Sequence, residues 1–177
     1  MRDHDALDRN PNVSRAALEA VHGHVHGWAL SRCGYDKAAA EDLVQEAYVA
    51  ILNGKARFDN KSSLKTFVFG VVQNLARSRY RRQRNRMRIV DTYAAGLDDV
   101  DNGPVEEIGL KRVWEAVESL PERQRDITEL VFVRELTVEE ASAVMGISAG
   151  TGSVHYARAK KSLAEKLTSL KTREQAR

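Results

Sequence analysis

The sequence predicts an all-α protein of two small helical domains joined by a flexible acidic linker. Apolar residues recur at helical spacing in nearly every segment, whereas the alternation expected of a half-buried strand is scarce. Residues 90–104, which end in D-D-V-D-N-G-P, interrupt this pattern near the middle of the chain. A length of 177 residues is enough for one ordinary domain or two small ones.

Composition narrows the class of protein further. The hydrophobic content of 42% and charged content of 30% are typical of a globular chain. The lone Cys33 rules out an internal disulfide. Residues 1–10 are charged and lack the apolar core of a signal peptide, and no apolar run is long enough to span a bilayer. These features favour a cytoplasmic protein that does not insert into a membrane.

The first domain is expected to begin with two helices after a loose arm at residues 1–13. Residues 14–32 form a helix candidate that Ser14 caps. Residues 38–52 form a stronger candidate, which ends near Asn53-Gly54.

A polar loop at residues 57–63 precedes the third helix. Ser62 or Ser63 is expected to cap this helix, which starts at Leu64 and runs into a block of basic residues. Residues 77–88 contain seven arginines and no acid, far more positive charge than a helix end requires for its dipole. Residues 89–109 contain six acids and no Lys or Arg. Aromatic residues beside arginines suit unpaired bases and phosphates, so this part of the chain is a candidate nucleic-acid site.

The second domain is expected to contain helices over residues 105–119 and 121–135, followed by a helix-turn-helix at 136–163. Thr137 and Glu140 have the spacing of a capping box, and Gly146 can supply the left-handed residue that ends the first helix of the pair. Ser148 can cap the second helix. The polar tail from Thr168 is expected to fray.

The second helix of the pair has the pattern of a DNA-reading helix. Four residues recur on one inward stripe: Gly152, Tyr156, Ala159 and Leu163. Other faces carry Ser153, Val154, His155, Ala157, Arg158 and Lys161. A short capped helix followed by a longer basic one is how a helix-turn-helix enters a major groove, which predicts double-stranded DNA as a ligand.

Several motifs together resemble one family. They are A-E-D-L-V-Q-E at residues 40–46, R-F-D-x-x-S-S-L-x-T-F at 57–67, the basic helix, L-P-E-R-Q-R at 120–125 and the helix-turn-helix. In this order and spacing they resemble an extracytoplasmic-function sigma factor, the smallest type in the sigma-70 family, over about residues 14–170. The resemblance implies two helical domains, sigma-2 and sigma-4, and a non-enzymatic activity: directing core RNA polymerase to promoters and helping to open the DNA.

The resemblance assigns boundaries and partners. The expected segments are an arm at 1–13, sigma-2 at 14–89, an acidic linker at 90–106, sigma-4 at 107–170 and a tail at 171–177. The implied partners are core RNA polymerase through its beta-prime clamp and beta flap, promoter duplex DNA, the melted non-template strand and an anti-sigma factor. No cofactor or metal is implied.

The resemblance also assigns three groups of site residues. The core-polymerase surface comprises Asp42, Leu43, Gln45, Glu46 and Val49. The residues assigned to the minus-ten element are Phe58, Asp59, Asn60, Lys61, Ser62, Ser63, Lys65, Thr66, Phe67, Asn74, Arg77, Tyr80 and Arg81. The minus-thirty-five element is met by Ser148, Gly150, Thr151, Ser153, Val154, His155, Ala157 and Arg158.

Some positions depart from the family pattern. Phe67 stands where tryptophan is usual, and Glu135 stands where a turn glycine is usual. Gly152, Ser153 and His155 replace a valine, a basic residue and an arginine, which removes two cations from the reading helix. We expect Gly152 to lower helix stability by roughly 1 kcal/mol relative to alanine, and the larger Tyr156 to fill the space that Gly152 leaves.

Two other classes of protein remain as alternatives. One is a repressor or activator that uses only its helix-turn-helix; such a regulator has no need for a Phe58 loop beside seven arginines. The other is a metal- or thiol-responsive sensor. His22 and His26 share a helix face at metal-ligand spacing, near His24 and Cys33, but no acid or second cysteine completes a site. No phosphate loop or nucleophile–base set is present, which disfavours an enzyme.

Overall fold

The computed structural model describes residues 13–87 and 107–175, with the side-chain surroundings of residues 13–84 and 113–168. Every regular element in these ranges is a helix, which confirms the all-α prediction. The helices are α1 (Arg15–Arg32), α2 (Lys37–Leu52), α3 (Leu64–Met87), α4 (Glu107–Glu118), α5 (Glu122–Thr128), α6 (Val138–Met145) and α7 (Ala149–Gln175). Helix α5 continues into one π-helical turn at Glu129–Val133. The predicted acidic linker lies outside the described residues, as does the predicted arm apart from Val13, which is buried.

The helices divide between two compact units, as the sequence predicts. The first contains α1, α2 and α3; the second contains α4, α5 and α7, and α6 begins in it. In the first unit each helix packs against both of the others. In the second, α7 packs against α4 and α5.

The core of the first unit is centred on Trp28 of α1. Its side chain is fully buried, its ring stacks on Phe69 of α3 with 6.0 Å between centroids, and its Nε1 donates to the Phe69 carbonyl oxygen at 3.3 Å. On the outer side of the ring, the Arg32 guanidinium lies 4.2 Å from the centroid. Trp28 therefore connects α1 to the helix that carries the arginines.

The beginnings of these helices are fixed by side-chain caps. Ser14 Oγ accepts from Ala17 N at 3.1 Å, as predicted. Of the two serines before α3, Ser63 is the cap: its Oγ accepts from Thr66 N at 3.1 Å. Asp36 caps α2 by accepting from Ala39 N at 3.0 Å. This cap was not predicted, although aspartate is among the preferred N-cap residues.

Helix α5 differs from its prediction in two ways. Pro121 is the N-cap rather than the first helical residue, with ψ at 142°. The regular α-helix ends at Thr128, and the π-helical turn follows. Within this turn, Glu129 and Arg134 form a largely buried ion pair at 2.9 Å. This charge pairing, which helical periodicity does not reveal, joins the two ends of the turn.

The helix-turn-helix has the caps that the sequence predicts. Thr137 N donates to Glu140 Oε2 at 2.9 Å, and Glu140 N donates to Thr137 Oγ1 at 3.2 Å, which completes the capping box. Gly146 ends α6 with φ at +66°. The residue where a turn glycine is usual, Glu135, is also left-handed, with φ at +58°.

Helix α7 is longer than predicted. It continues to Gln175, so residues 171–175, which we assigned to a tail, are helical. The segment K-T-R-E-Q is rich in lysine, arginine, glutamate and glutamine, which favour helices. Polarity alone therefore does not end the helix.

Replacing Glu135 by glycine should stabilise the protein. A non-glycine residue in the left-handed region costs roughly 1–2 kcal/mol, and the extra freedom of glycine in the unfolded chain offsets part of the gain. We expect Glu135→Gly to raise the free energy of unfolding by about 0.5–1 kcal/mol, measured by urea denaturation. Glu139→Gly, within α6, should lower it by about 0.5–1 kcal/mol. A Glu135→Gly variant no more stable than the parent would contradict the assigned strain.

Candidate nucleic-acid interface

The first turn of α7 is held by its cap. Ser148 Oγ accepts from Thr151 N at 3.2 Å and lies 2.8 Å from Thr151 Oγ1. Ser153 Oγ donates back to the Ala149 carbonyl oxygen at 3.0 Å. Seven of the residues assigned to the minus-thirty-five element are exposed, and His155 is half-buried: the exposed seven are Ser148, Gly150, Thr151, Ser153, Val154, Ala157 and Arg158. The helix thus presents all eight outside the buried core.

The opposite side of α7 is the predicted inward stripe. Gly152 and Ala159 are buried, and Tyr156 and Leu163 are half-buried. The expectation that Tyr156 fills space beside Gly152 is wrong, because there is none: a Cβ at position 152 would lie 1.8 Å from Ser142 Oγ. Tyr156 instead packs on Phe132, with 5.8 Å between ring centroids. The predicted advantage of alanine at this position is therefore also wrong, because α6 already occupies that volume.

The polar loop before α3 carries an aromatic pair. The rings of Phe58, from the loop, and Phe67, from the first turn of α3, have centroids 5.0 Å apart. Both residues are half-buried, so each ring keeps an accessible part. Asn60 lies between them in the chain and is left-handed, with φ at +57°, a conformation that asparagine tolerates better than most residues.

Charged side chains fix the tip of this loop. Lys61 Nζ lies 2.7 Å from Asp59 Oδ2, and Lys61 N donates to Asp59 Oδ1 at 3.2 Å. The hydrogen bond from the Lys61 side chain holds the pKa of the Asp59 carboxyl below its ordinary value, with the backbone bond acting in the same direction. The same pairing raises the pKa of Lys61. The loop therefore presents Asn60 from a locally closed turn.

Helix α3 brings together only part of its assigned residues. Phe67, Asn74 and Arg81 recur every seven residues and so share one face. Lys65 comes two residues before Phe67 and lies on a different side of the helix. Among the residues assigned to the minus-ten element, Ser62, Ser63, Tyr80 and Arg81 are exposed, and Arg77 is half-buried.

Thr66 does not lie on the DNA-facing surface to which it was assigned. Its side chain is 3% exposed, and its hydroxyl lies 2.8 Å from Ser63 Oγ in the cap of α3. Its hydroxyl is therefore used to start the helix.

Helix α2 presents the assigned polymerase surface, with one exception. Asp42, Gln45 and Val49 are exposed, and Glu46 is half-buried. Leu43 has no exposed surface, because it points into the core with Ala47 and the other apolar residues of α2. Leu43 therefore cannot belong to a contact surface, and its assignment is corrected to the core.

One of the seven arginines is structural. Arg79 of α3 donates from Nε and Nη2 to Glu46 Oε2, at 2.9 and 2.7 Å, and from Nη1 to the Ala39 carbonyl oxygen at 3.4 Å. It thus ties α3 to the first turn and to the middle of α2. The exposed arginines of the block in the described ranges are Arg81, Arg82 and Arg84.

The histidines of α1 make ordinary polar contacts. His22 Nδ1 lies 3.2 Å from the Tyr48 hydroxyl, and the His22 and His26 ring centroids are 6.1 Å apart. Burial raises the pKa of the Cys33 thiol, although Arg79 opposes this effect. No three histidine, cysteine or acidic side chains in the described ranges are grouped as a metal site. Likewise, none of the helices described is long and apolar enough to cross a membrane.

Comparison with known proteins decides the family. Sigma-70 region 2 matches residues 17–86, and Sigma-70 region 4 matches residues 110–163. The ECF RNA polymerase sigma factor EcfG of Rhodopseudomonas palustris is 31% identical over 139 residues, which cover 77% of this chain and 76% of EcfG. The chain belongs to the extracytoplasmic-function sigma factors of the sigma-70 family. The sigma factor is also 28% identical to SigF of Caulobacter vibrioides over 162 residues, 91% of this chain and 89% of SigF.

Solved structures share the fold of this sigma factor. The sigma factor RpoE of Bartonella quintana, solved with the anti-sigma factor NepR, aligns with a TM-score of 0.59 at 25% identity, over 85% of this chain and 94% of that one. CnrH, solved with the cytosolic domain of CnrY, aligns with a TM-score of 0.61 at 22% identity, over 94% and 97% of the two chains. The two matched regions place α1, α2 and α3 in region 2, and α4, α5, α6 and the first part of α7 in region 4.

The Asp59–Lys61 pair generates a prediction about the pH response of the loop. A lowered carboxyl pKa means that the pair is complete above the ordinary aspartate pKa and is lost as pH falls through the lowered value. Lys61→Met should raise the pKa of Asp59 towards its ordinary value, measured by carbon NMR of the carboxyl group. Lys55→Met, at another exposed lysine in the same connection, should leave it unchanged. An Asp59 pKa unaffected by Lys61→Met would show that the ammonium is not its partner in solution.

Proposed function

We propose that this sigma factor uses three helix surfaces in succession during promoter-specific initiation. The exposed side of α2 binds core RNA polymerase, the Phe58 loop and α3 hold melted minus-ten DNA, and the exposed side of α7 reads the minus-thirty-five element. The observation that carries the proposal is the order of regions 2 and 4, at residues 17–86 and 110–163. A repressor with only a helix-turn-helix does not account for region 2.

Polymerase binding is assigned to Asp42, Gln45 and Val49, with Glu46 at the edge. Asp42 supplies exposed negative charge, and Val49 is 54% exposed, an apolar side chain available to a partner. A surface of this kind suits the basic and apolar surface expected of the polymerase clamp. We propose the beta flap as the partner of the second unit.

Promoter opening is assigned to the loop and to α3. Aromatic rings stack on unpaired bases at a gain of about 1–3 kcal/mol per base, which offsets the few kcal/mol needed to take a base out of the duplex. The Phe58–Phe67 pair supplies the stacking surface and Asn60 an amide for the base edge. Arg81 and the arginines that follow it supply phosphate contacts.

Upstream recognition is assigned to the eight residues already described on α7. Arg158 is the exposed cation among them, and Thr151, Ser153 and His155 supply hydrogen-bonding groups. With two of the family's cations replaced, we propose that sequence reading here depends more on these neutral groups and on the methyl groups of Val154 and Ala157.

The remaining assignments follow from this role. We propose sigma-2 at residues 14–89, the linker at 90–106 and sigma-4 from 107, with the protein acting in the cytoplasm as a polymerase subunit and not as an enzyme by itself. We also propose regulation by an anti-sigma factor, because RpoE and CnrH, whose folds are similar, were solved with NepR and with the cytosolic domain of CnrY.

Reconstituted transcription tests the central proposal. The full chain is mixed with bacterial core polymerase and a library of genomic fragments, and the starts of the transcripts are sequenced. We expect starts that share an upstream and a downstream element and are absent with core polymerase alone. Binding of the chain to promoter DNA without any effect on transcript starts would favour the repressor alternative.

Reversing the character of the α2 surface should weaken binding to core polymerase. Asp42→Lys places a cation where the proposal needs an anion, and Val49→Asp places an anion where the proposal needs an apolar contact. We expect affinity for core to fall by about tenfold or more, measured by competition against a labelled sigma factor. Helicity should not change, because both side chains are exposed.

Glu46 is left intact in this test, because Glu46→Lys would also break the Arg79 bonds and confuse folding with binding. Glu19→Lys, at an exposed position of α1, makes a comparable charge reversal away from the proposed polymerase-binding surface and should bind normally. Parental affinity in the double variant would remove α2 from the interface.

The loop should be needed for opening more than for binding. Phe58→Ala removes one ring of the Phe58–Phe67 pair, and Asn60→Gly removes the amide while permitting the left-handed backbone. Each should reduce the fluorescence rise of 2-aminopurine placed in the minus-ten element, measured with holoenzyme. A template mispaired at that element should recover much of the loss, because the cost of base extrusion is already met. Normal opening by both variants would mean that the loop does not capture a base.

A further inference from the structure

Ser142 of α6 lies directly against Gly152 of α7, the second helix of the helix-turn-helix. A Cβ at position 152 would lie 1.8 Å from Ser142 Oγ, 3.0 Å from Ser142 Cβ and 3.3 Å from Ile127 Cδ1. Carbon atoms in contact prefer about 3.5–4.0 Å. Glycine is therefore the residue that this crossing admits without movement.

Ser142 cannot turn away without a cost. It is 1% exposed, and its Oγ donates to the Val138 carbonyl oxygen at 2.6 Å, one helical turn earlier. Another rotamer would break this bond in a buried place, where an unmade hydrogen bond is expensive. Even then the contact with Ser142 Cβ would remain, and Ile127 would still border the other side.

Gly150 provides the contrast on the same helix. It is exposed, and a Cβ there would meet nothing within 4 Å. The requirement for glycine at position 152 is therefore set by α6 and not by the first turn of α7. The family pattern has valine at this position, which this crossing does not admit without moving α7.

We infer that Ser142 and Gly152 are positioning residues that set how closely α7 seats on α6, and thereby where its reading side chains meet the minus-thirty-five element. The inference rests on the proposed DNA-reading role of α7. A larger residue at 152 must push α7 outward or rotate it. Hydrogen bonds to base edges tolerate only a few tenths of an ångström, so such movement alters which bases are read.

The test exchanges the side chain between the two helices. Gly152→Ala alone, Ser142→Gly with Gly152→Ala, and the control Gly23→Ala are compared as full chains in holoenzyme. The probe is promoter DNA with a randomised minus-thirty-five element, selected by each protein and then measured for binding against a scrambled element. Helicity and thermal unfolding are recorded for each chain.

We expect Gly152→Ala to lose about tenfold or more of its preference for the selected element over the scrambled one, with transcription from a mispaired minus-ten template unchanged. The double variant should recover most of that preference, because one side chain again occupies the crossing. Gly23→Ala, in α1 and outside every assigned surface, should behave as the parent, because a Cβ there would meet nothing within 4 Å. If Gly152→Ala unfolds, recovery of both folding and preference in the double variant still supports the pair.

Three results would overturn the inference: parental preference in Gly152→Ala, no recovery in the double variant, or an equal loss in Gly23→Ala. Arg158→Ala separates this failure from failure of the proposed function. If Arg158→Ala loses the preference while Gly152→Ala keeps it, α7 reads DNA but the pair does not position it. If the parent protein selects no upstream sequence, both ideas fail.

Discussion

The position of α3 depends on the buried contact between Trp28 and Phe69. The ring stacking and the Nε1 hydrogen bond are made to one residue of α3, near the middle of the buried core. Phe67 and the basic end of the same helix lie on either side of that residue, so the contact fixes both the start and the direction of the candidate minus-ten surface. Arg79 then holds the far part of the helix to Glu46 and Ala39. Removing Trp28 would therefore affect more than core volume, because α3 would also lose a ring contact and a hydrogen bond to α1.

The arginines of the block have two different roles, one structural and one at the exposed surface, which composition alone does not distinguish. Arg79 is half-buried and makes three hydrogen bonds to α2, whereas Arg81, Arg82 and Arg84 are exposed. A helix that binds nucleic acid at one end must still be anchored to its own domain. The Arg79–Glu46 pair provides this anchor and also offsets the negative charge of Glu46 beside the candidate minus-ten surface. The same pair removes Glu46 from the set of freely available acids on α2.

The sequence predicted the features that follow from local patterns. Ser14, Ser63, the Thr137–Glu140 box, Gly146 and the inward stripe of α7 depend on contacts within a few residues, and all are present. The misses depend on contacts between elements or on a change in helix type. The π-helical turn with its Glu129–Arg134 pair, the burial of Leu43 and Thr66, and the collision that a Cβ at Gly152 would make are of this kind. Family resemblance assigned residues to three surfaces but did not separate the buried residues from the exposed ones.

The crossing of α6 and α7 has a consequence for how this chain can change over generations. Because side chains at positions 142 and 152 would occupy the same space, the effect of a substitution at one position depends on the residue present at the other. A larger residue at position 152 is accommodated only after the residue at position 142 has become smaller. In the reverse order, the intermediate protein has α7 displaced from α6. Drift in promoter preference through this part of the protein is therefore expected to come in paired steps, while exposed positions such as Ser153 vary one at a time.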